Sequence, residues 1–149
     1  MHLSPHFLLE EFSLSDTATR HGIDNHVPHD LIPNLERLCR EILEPVRKRF
    51  GHVRVTSGYR CIPLNRLLKS KDTSAHVLGL AADVVILGGS RPLTVCDWVI
   101  NEGLPVQQAI NEYGRWSHLS IAPEGKEPKR EALTIDSAGT RAGLHEARQ

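Results

Sequence analysis

The chain carries no surplus charge of either sign: 18 Lys and Arg stand against 18 Asp and Glu, so its formal net charge is zero with neutral histidines. A nucleic-acid partner is therefore not expected, because binding to phosphates draws on a basic excess. No block of like charge marks a disordered tail of one sign. Long apolar runs are also missing. The longest, Leu78 to Leu87, is broken by Gly79 and Asp83 and is too short to cross a bilayer, so membrane insertion is not expected. Met1 to Glu10 holds no Lys or Arg and no sustained apolar core. No secretory signal peptide is expected, and the chain reads as cytoplasmic when synthesised. Cysteine is scarce: Cys39, Cys61 and Cys96 are odd in number and none is spaced C-x-x-C. Reduced thiols are expected rather than a disulfide framework or a cysteine zinc site. No internal repeat is present.

What remains is an ordinary globular composition, with 149 residues, 40% hydrophobic and 24% charged. That suits one domain with a sizeable core. Nine histidines are many for the length and invite a search for metal ligands. Met1 to Val27 is polar and irregular, with Phe7, Leu8, Phe12 and Ile23 scattered through it. It reads as short helices and turns laid over a later core. Asp30 to Phe50 predicts a helix, since Leu31, Leu35, Leu38, Ile42, Val46 and Phe50 recur at three- and four-residue steps. Pro45 should bend it or interrupt its hydrogen bonding, and Gly51 can cap it.

Val53 to Thr56 reads as a strand, Pro63 to Lys69 as a short helix and Ser70 to Ala75 as a polar loop. Ala81 to Leu87 reads as a covered strand. Ser90 can cap a helix reaching Asn101. Val106 to Glu112 and Trp116 to Ile121 form a hairpin around Tyr113-Gly114. Residues 124–149 are rich in Lys, Glu, Arg, Gly and Ala and read as a loosely packed polar tail after a domain of residues 1–123. The order of elements predicts an α+β domain, its sheet mostly antiparallel with helices on one side.

Chemistry concentrates in Ser74-Ala75-His76-Val77-Leu78-Gly79-Leu80-Ala81-Ala82-Asp83 and in Trp116-Ser117-His118-Leu119-Ser120. A carboxylate inside an apolar strand is costly unless its charge is compensated. Alternation puts Ala81, Asp83 and Val85 on one face, and Trp116, His118 and Ser120 on one face of their own strand. Small Ala81 and Gly79 leave room beside Asp83 for an ion or ligand. With a three-residue hairpin loop, Glu112 lies opposite Trp116 on the His118 face; a two-residue loop would shift that register. Two histidines and a carboxylate are a common catalytic zinc set with a fourth place for water, and Glu112 is the nearest acid able to take that water's proton. The bland alternatives are a buried hydrogen-bonded His-Asp-His network without metal, a solvated Glu112 and a core Trp116.

The pattern S-x-H-x-x-G-x-A-x-D followed by W-x-H resembles the zinc peptidases that cleave peptidoglycan stem peptides. These are D-Ala-D-Ala carboxypeptidases and dipeptidases and phage L-Ala-D-Glu endopeptidases, all of the Hedgehog/DD-peptidase fold. Ser74, His76, Gly79, Ala81 and Asp83 match the first motif, and Trp116 and His118 the second. Thr56-Ser57-Gly58-Tyr59-Arg60 with Asn65 resembles a third element. Phe12, Ser15-Asp16-Thr17-Ala18 and Asp24-Asn25 are similar to the small phage-type branch. The resemblance spans roughly Leu3 to Pro123.

It implies one zinc ion per chain on His76, Asp83 and His118. It implies Arg60 beside the metal, supporting an oxyanion or holding the substrate carbonyl, Ser74 bonded to a substrate carboxylate, and Trp116 as a substrate platform. Well-known members carry a glutamate three residues before the last histidine, where this chain has Arg115. The phage-type branch carries it six residues before, which Glu112 fits. Residues 69–73 lack the paired glycines often found there. A monomer is expected, and by analogy with a phage or prophage lysis enzyme it would meet peptidoglycan in the cell wall or periplasm after release. A non-catalytic zinc-containing peptidoglycan-binding module of the same fold is the alternative.

Overall fold

A computed structural model describes all 149 residues, Met1–Gln149. In chain order its elements are β1 (His2–Ser4), β2 (Phe7–Leu8), α1 (Glu10–Ser13), α2 (Asp16–Arg20), a 3-10 turn (His29–Leu31), α3 (Ile32–Leu38), a π turn (Cys39–Leu43) and α4 (Glu44–Phe50). There follow β3 (Val53–Ser57), α5 (Ile62–Leu67), a second 3-10 turn (Ala75–Leu78), β4 (Ala81–Ile86), α6 (Pro92–Asn101), β5 (Val106–Glu112), β6 (Trp116–Ile121), β7 (Glu131–Asp136) and β8 (Gly139–Ala142). Six strands form one sheet in the order β3-β4-β6-β5-β7-β8. Every pairing is antiparallel except the parallel β5–β7 pair. The fold is thus α+β with a mostly antiparallel sheet, as the order of elements implied.

The sheet's two faces separate structure from chemistry. Ala82, Val84, Ala109, Leu119 and Ile121 face the helices and close a core with Leu35, Leu38, Ile42, Val46, Val95 and Val99. Phe50 and Trp98 meet edge to face, ring centroids 5.5 Å apart, where α4 packs on α6. The 30–50 segment bears its stripe inward as expected, but it is not one uniform helix. Pro45 has no N–H to bond back to Glu41, and the chain accommodates this with the π turn just before it. Gly51 ends the run at φ 89°, its N–H bonding Arg47 O at 2.8 Å. Helix α6 begins after Arg91, and Ser90 provides no side-chain cap.

Residues 1–27 wrap the core as short pieces, with a two-stranded ribbon, β1–β2, beside the short helices. Phe7 and Phe12 are wholly buried. Ser15 caps α2 by accepting from Ala18 N at 3.1 Å. Buried Asn25 stitches this segment to the exit of β3: its Nδ2 donates to Ser13 O and Tyr59 O, and its Oδ1 accepts from Cys61 N.

Residues 124–149 do not form the loose tail that their composition suggested. β7 adds in parallel to β5, and β8 pairs with β7. The polar residues explain the discrepancy, because they are buried and satisfied. Thr134 Oγ1 donates to Gly143 O and accepts from His145 N, both at 2.9 Å. Asp136 accepts from Arg148 N at 2.7 Å and Ala138 N at 2.9 Å, and pairs with Arg141 at 2.6 Å. Asn111 Nδ2 donates to His145 O at 2.9 Å, so β5 also holds the C-terminal segment.

Candidate metal centre

The site stands on the sheet face away from the helices, across the central strands. Asp83 on β4 and His118 on β6 are direct cross-strand partners, so both side chains rise from one face, next to each other. His118 Nδ1 lies 3.0 Å from Asp83 Oδ1. His76 arrives from the second 3-10 turn, with Nε2 3.4 Å from the same oxygen. The candidate ligand atoms of the three residues all lie within 4.8 Å of one another, and all three residues are buried. The imidazoles meet edge to face at 5.1 Å. The two histidines point together, at one carboxylate.

Local sequence explains how His76 gets there. Ser74 caps the turn by accepting from His76 N at 3.3 Å, and Gly79 closes it in the left-handed region at φ 68°. The His76 ring is then fixed from behind: Nδ1 lies 2.7 Å from Gly58 O. A carbonyl only accepts, so Nδ1 carries the proton and Nε2 presents its lone pair towards Asp83. This is the outer hydrogen bond that metal-binding histidines use to set tautomer and orientation. Gly58 approaches Phe12 too closely for any side chain, since a Cβ there would stand 2.6 Å from Phe12 Cα.

Arg60 closes the far side of the carboxylate. Its Nη2 donates to Asp83 Oδ2 at 3.1 Å, Nε to Ser57 Oγ at 2.9 Å and Nη1 to Asn65 Oδ1 at 3.3 Å. Asn65 is itself anchored by donating to Lys71 O at 2.7 Å. Asp83 thus has one oxygen tied to Arg60 and the other turned to the histidines.

The electrostatics agree with a cation site. Burial alone would raise the Asp83 carboxyl, but the close approach of the His118 and His76 rings outweighs it and holds the group well below the usual carboxylate range. Burial pushes His76 down, favouring the neutral ring a metal needs. The His76 Nε2 lone pair and an ionised Asp83 oxygen face each other with no proton of their own between them, an arrangement that a cation satisfies. Two nitrogens and one oxygen also match the donor types of catalytic zinc sites that keep a fourth place for water.

Glu112 sits where a three-residue hairpin loop puts it, opposite Trp116 in register, with Arg115 N bonded back to Glu112 O at 3.0 Å. Its Oε1 is 3.9 Å from His118 Nδ1. Burial, then the charge of Asp83, raises its carboxyl above the ordinary range. Trp116 is half-buried beside Tyr113, ring centroids 5.8 Å apart, and its indole N–H is buried without a partner. Ser74 and His118 both line a groove that opens next to the ligands.

Sequence reasoning named every residue of this cluster except its supports. Gly58 O and Ser57 Oγ lie within the Thr56–Arg60 stretch, but which backbone atom faces a histidine is decided by tertiary packing. The β7 residues Leu133 and Ile135, which share this groove, fell in the segment expected to be a tail.

An α+β sheet carrying a buried His-Asp-His group with an acid alongside has the donor arrangement of a metallohydrolase. The family model for Peptidase M15 matches residues 5–120, most of the chain including all three candidate ligands. The chain belongs to the Peptidase M15 family and is a metallopeptidase of the Hedgehog/DD-peptidase fold. No curated protein matches it significantly.

Proposed function

We propose that this protein is a zinc peptidase that hydrolyses a peptide bond of the peptidoglycan stem peptide, of the D-Ala-D-Ala carboxypeptidase or L-Ala-D-Glu endopeptidase type. The observation that carries the reading is the convergence of His76 Nε2 and His118 Nδ1 on one Asp83 oxygen, with Glu112 on the same face. Bound at His76, Asp83 and His118, zinc would supply a Lewis acid and lower the pKa of water to about 7.

The chain's own groups do the rest. Glu112 accepts the proton of the attacking water and delivers it to the leaving amine, and its raised carboxyl holds that proton in transit. Arg60 orients Asp83 and places a fixed cation beside the developing oxyanion. The Ser74 hydroxyl, accepting from His76 N, keeps its own proton free to donate to a substrate carboxylate. Trp116 walls the site on the Glu112 side. No helix is long and apolar enough to cross a membrane. The reading extends to a monomeric phage or prophage lysis enzyme, released to the cell wall through a separate pore.

Mass spectrometry of defined muropeptides digested by zinc-loaded protein tests this. Loss of a terminal D-Ala, or a cut between L-Ala and D-Glu, is expected. Both should vanish on chelation and in His76→Ala with an unchanged circular dichroism spectrum. Intact muropeptides after incubation with stoichiometrically loaded wild type would leave a binding module instead.

A further inference from the structure

β7 reverses the usual order of a half-buried strand. Its polar residues Thr134 and Asp136 are 0% and 3% exposed, whereas Leu133 and Ile135 between and beside them are only half-buried. An aliphatic pair left open while its polar neighbours take the interior is not built for the core. Register shows where the pair points. Ile110 lies opposite His118 on β6, Leu133 lies beside Ile110, and Ile135 lies beside Glu112. Alternation therefore places Leu133 and Ile135 on the face that bears Asp83 and His118.

The two residues floor one end of a groove of about 620 Å³ that reaches His118 and Ser120 and is walled by the 70–75 loop. That is the size of a small-ligand or short-peptide site. Lys71, on the loop wall, is the only Lys, Arg, Asp or Glu lining it, and the Leu133–Ile135 end of the floor is aliphatic. Two strand spacings, roughly 10 Å, separate β6 from β7, which two or three residues of extended peptide span at about 3.3 Å each. The family match ends at residue 120, and Leu133 and Ile135 lie beyond it.

Resting on the peptidase reading above, we propose that Leu133 and Ile135 form a specificity subsite for an aliphatic side chain of the substrate within three residues of the cleaved bond. The strand adds no reacting group. It selects the peptide laid across the sheet, and the lock at Asp136 and Thr134 keeps the floor in place.

The test uses the full, zinc-loaded chain and a set of stem-type peptides in which each residue within three of the bond is set in turn to Gly or Leu. At one position wild type should favour Leu over Gly by about tenfold, through KM. Leu133→Thr with Ile135→Thr, both compatible with a strand, should cut that preference to about twofold, through a raised KM for the Leu peptide. Ile135→Val should fall between. Equal losses on both peptides, or an undiminished preference, overturn the subsite. Binding of the same peptides to Glu112→Gln protein by calorimetry separates the two readings. A Leu preference in binding, lost in the Thr variants, upholds the subsite even if wild type cleaves nothing, and then only the peptidase reading fails. No preference in binding overturns the subsite whatever the turnover.

Discussion

Replacing Gly58 by Ala should damage the fold and the metal centre together, because one residue serves both. A Cβ at this position would stand 2.6 Å from Phe12 Cα, 2.8 Å from Phe12 O and 2.9 Å from Phe12 Cβ. None of these is the free end of a flexible side chain, and Phe12 is wholly buried. Relief requires the two backbones to part by several tenths of an ångström. Two hydrogen bonds cross that gap or depend on it: Tyr59 N to Phe12 O at 2.7 Å, and His76 Nδ1 to Gly58 O at 2.7 Å. Overpacking of this kind costs about 1–3 kcal/mol, and a weakened hydrogen bond adds about 1 kcal/mol. At about 2–4 °C per kcal/mol for a domain of this size, Tm should fall by roughly 4–16 °C. Loss of the bond that orients a metal-binding histidine should weaken metal affinity by about 10–100-fold. Scanning calorimetry and a chelator competition read the two effects. Gly88→Ala is the control: its Cβ would meet nothing nearer than Phe50 O at 3.9 Å, and Tm should move little. A Gly58→Ala protein that matches wild type in both Tm and metal affinity would refute the claim that this close approach seats His76.

Three further outcomes follow from the same geometry. Glu112→Gln should lower kcat by about 10²–10⁴-fold while stoichiometric metal is retained; loss of metal in the variant would place Glu112 among the ligands rather than beside them. The Asp136 carboxyl is drawn down from 3.8 to about 2, first by the Arg148 backbone N–H, then by Ala138 N–H and Arg141. Its stabilising effect is complete above the unfolded value and fades as pH drops through about 2. Amide protection factors in residues 139–148, corrected for the intrinsic exchange rate, should therefore fall between pH 4 and pH 2 (roughly the interval between the two values), and Asp136→Asn should abolish that fall. Cys96 is buried with its thiol pushed up to about 12, and burial raises Cys39 further. A thiol reagent near pH 8 should label no more than Cys61 in the native protein and all three cysteines in denaturant, and fast native labelling of Cys39 would contradict the packing under α3.

The core was legible because its signals are local. The stripe from Leu31 to Phe50 and the alternation in β4 and β6 state which side chains go inward, and the structure packs them all on the core, Leu31 and Phe50 partly buried at the stripe's ends. The C-terminal segment was not legible for the opposite reason. β7 pairs in parallel with β5 across the intervening hairpin strand, with Gln108 beside Glu131, and no short-range pattern announces such a partner. Its inward residues are Thr134 and Asp136, whose burial is acceptable only because backbone groups from residues 138–148 reach back to bond them. A hydrophobicity count sees polar residues and returns a tail.

The candidate site divides along the same line. Asp83, His118 and Glu112 follow from alternation and from the choice of hairpin loop, because a sheet converts position along the chain into a face with a period of two. One residue more or less in the 113–115 loop would have turned Glu112 to the core. His76 has no such rule. Its ring is aimed by Ser74 and Gly79 within its own turn and by a carbonyl from Gly58, which packs against Phe12 of the N-terminal segment. The N-terminal segment is therefore part of the metal centre's support although it contributes no ligand. Damage at Phe12 should reach His76 before it reaches Asp83 or His118, which the core on the other side of the sheet holds independently.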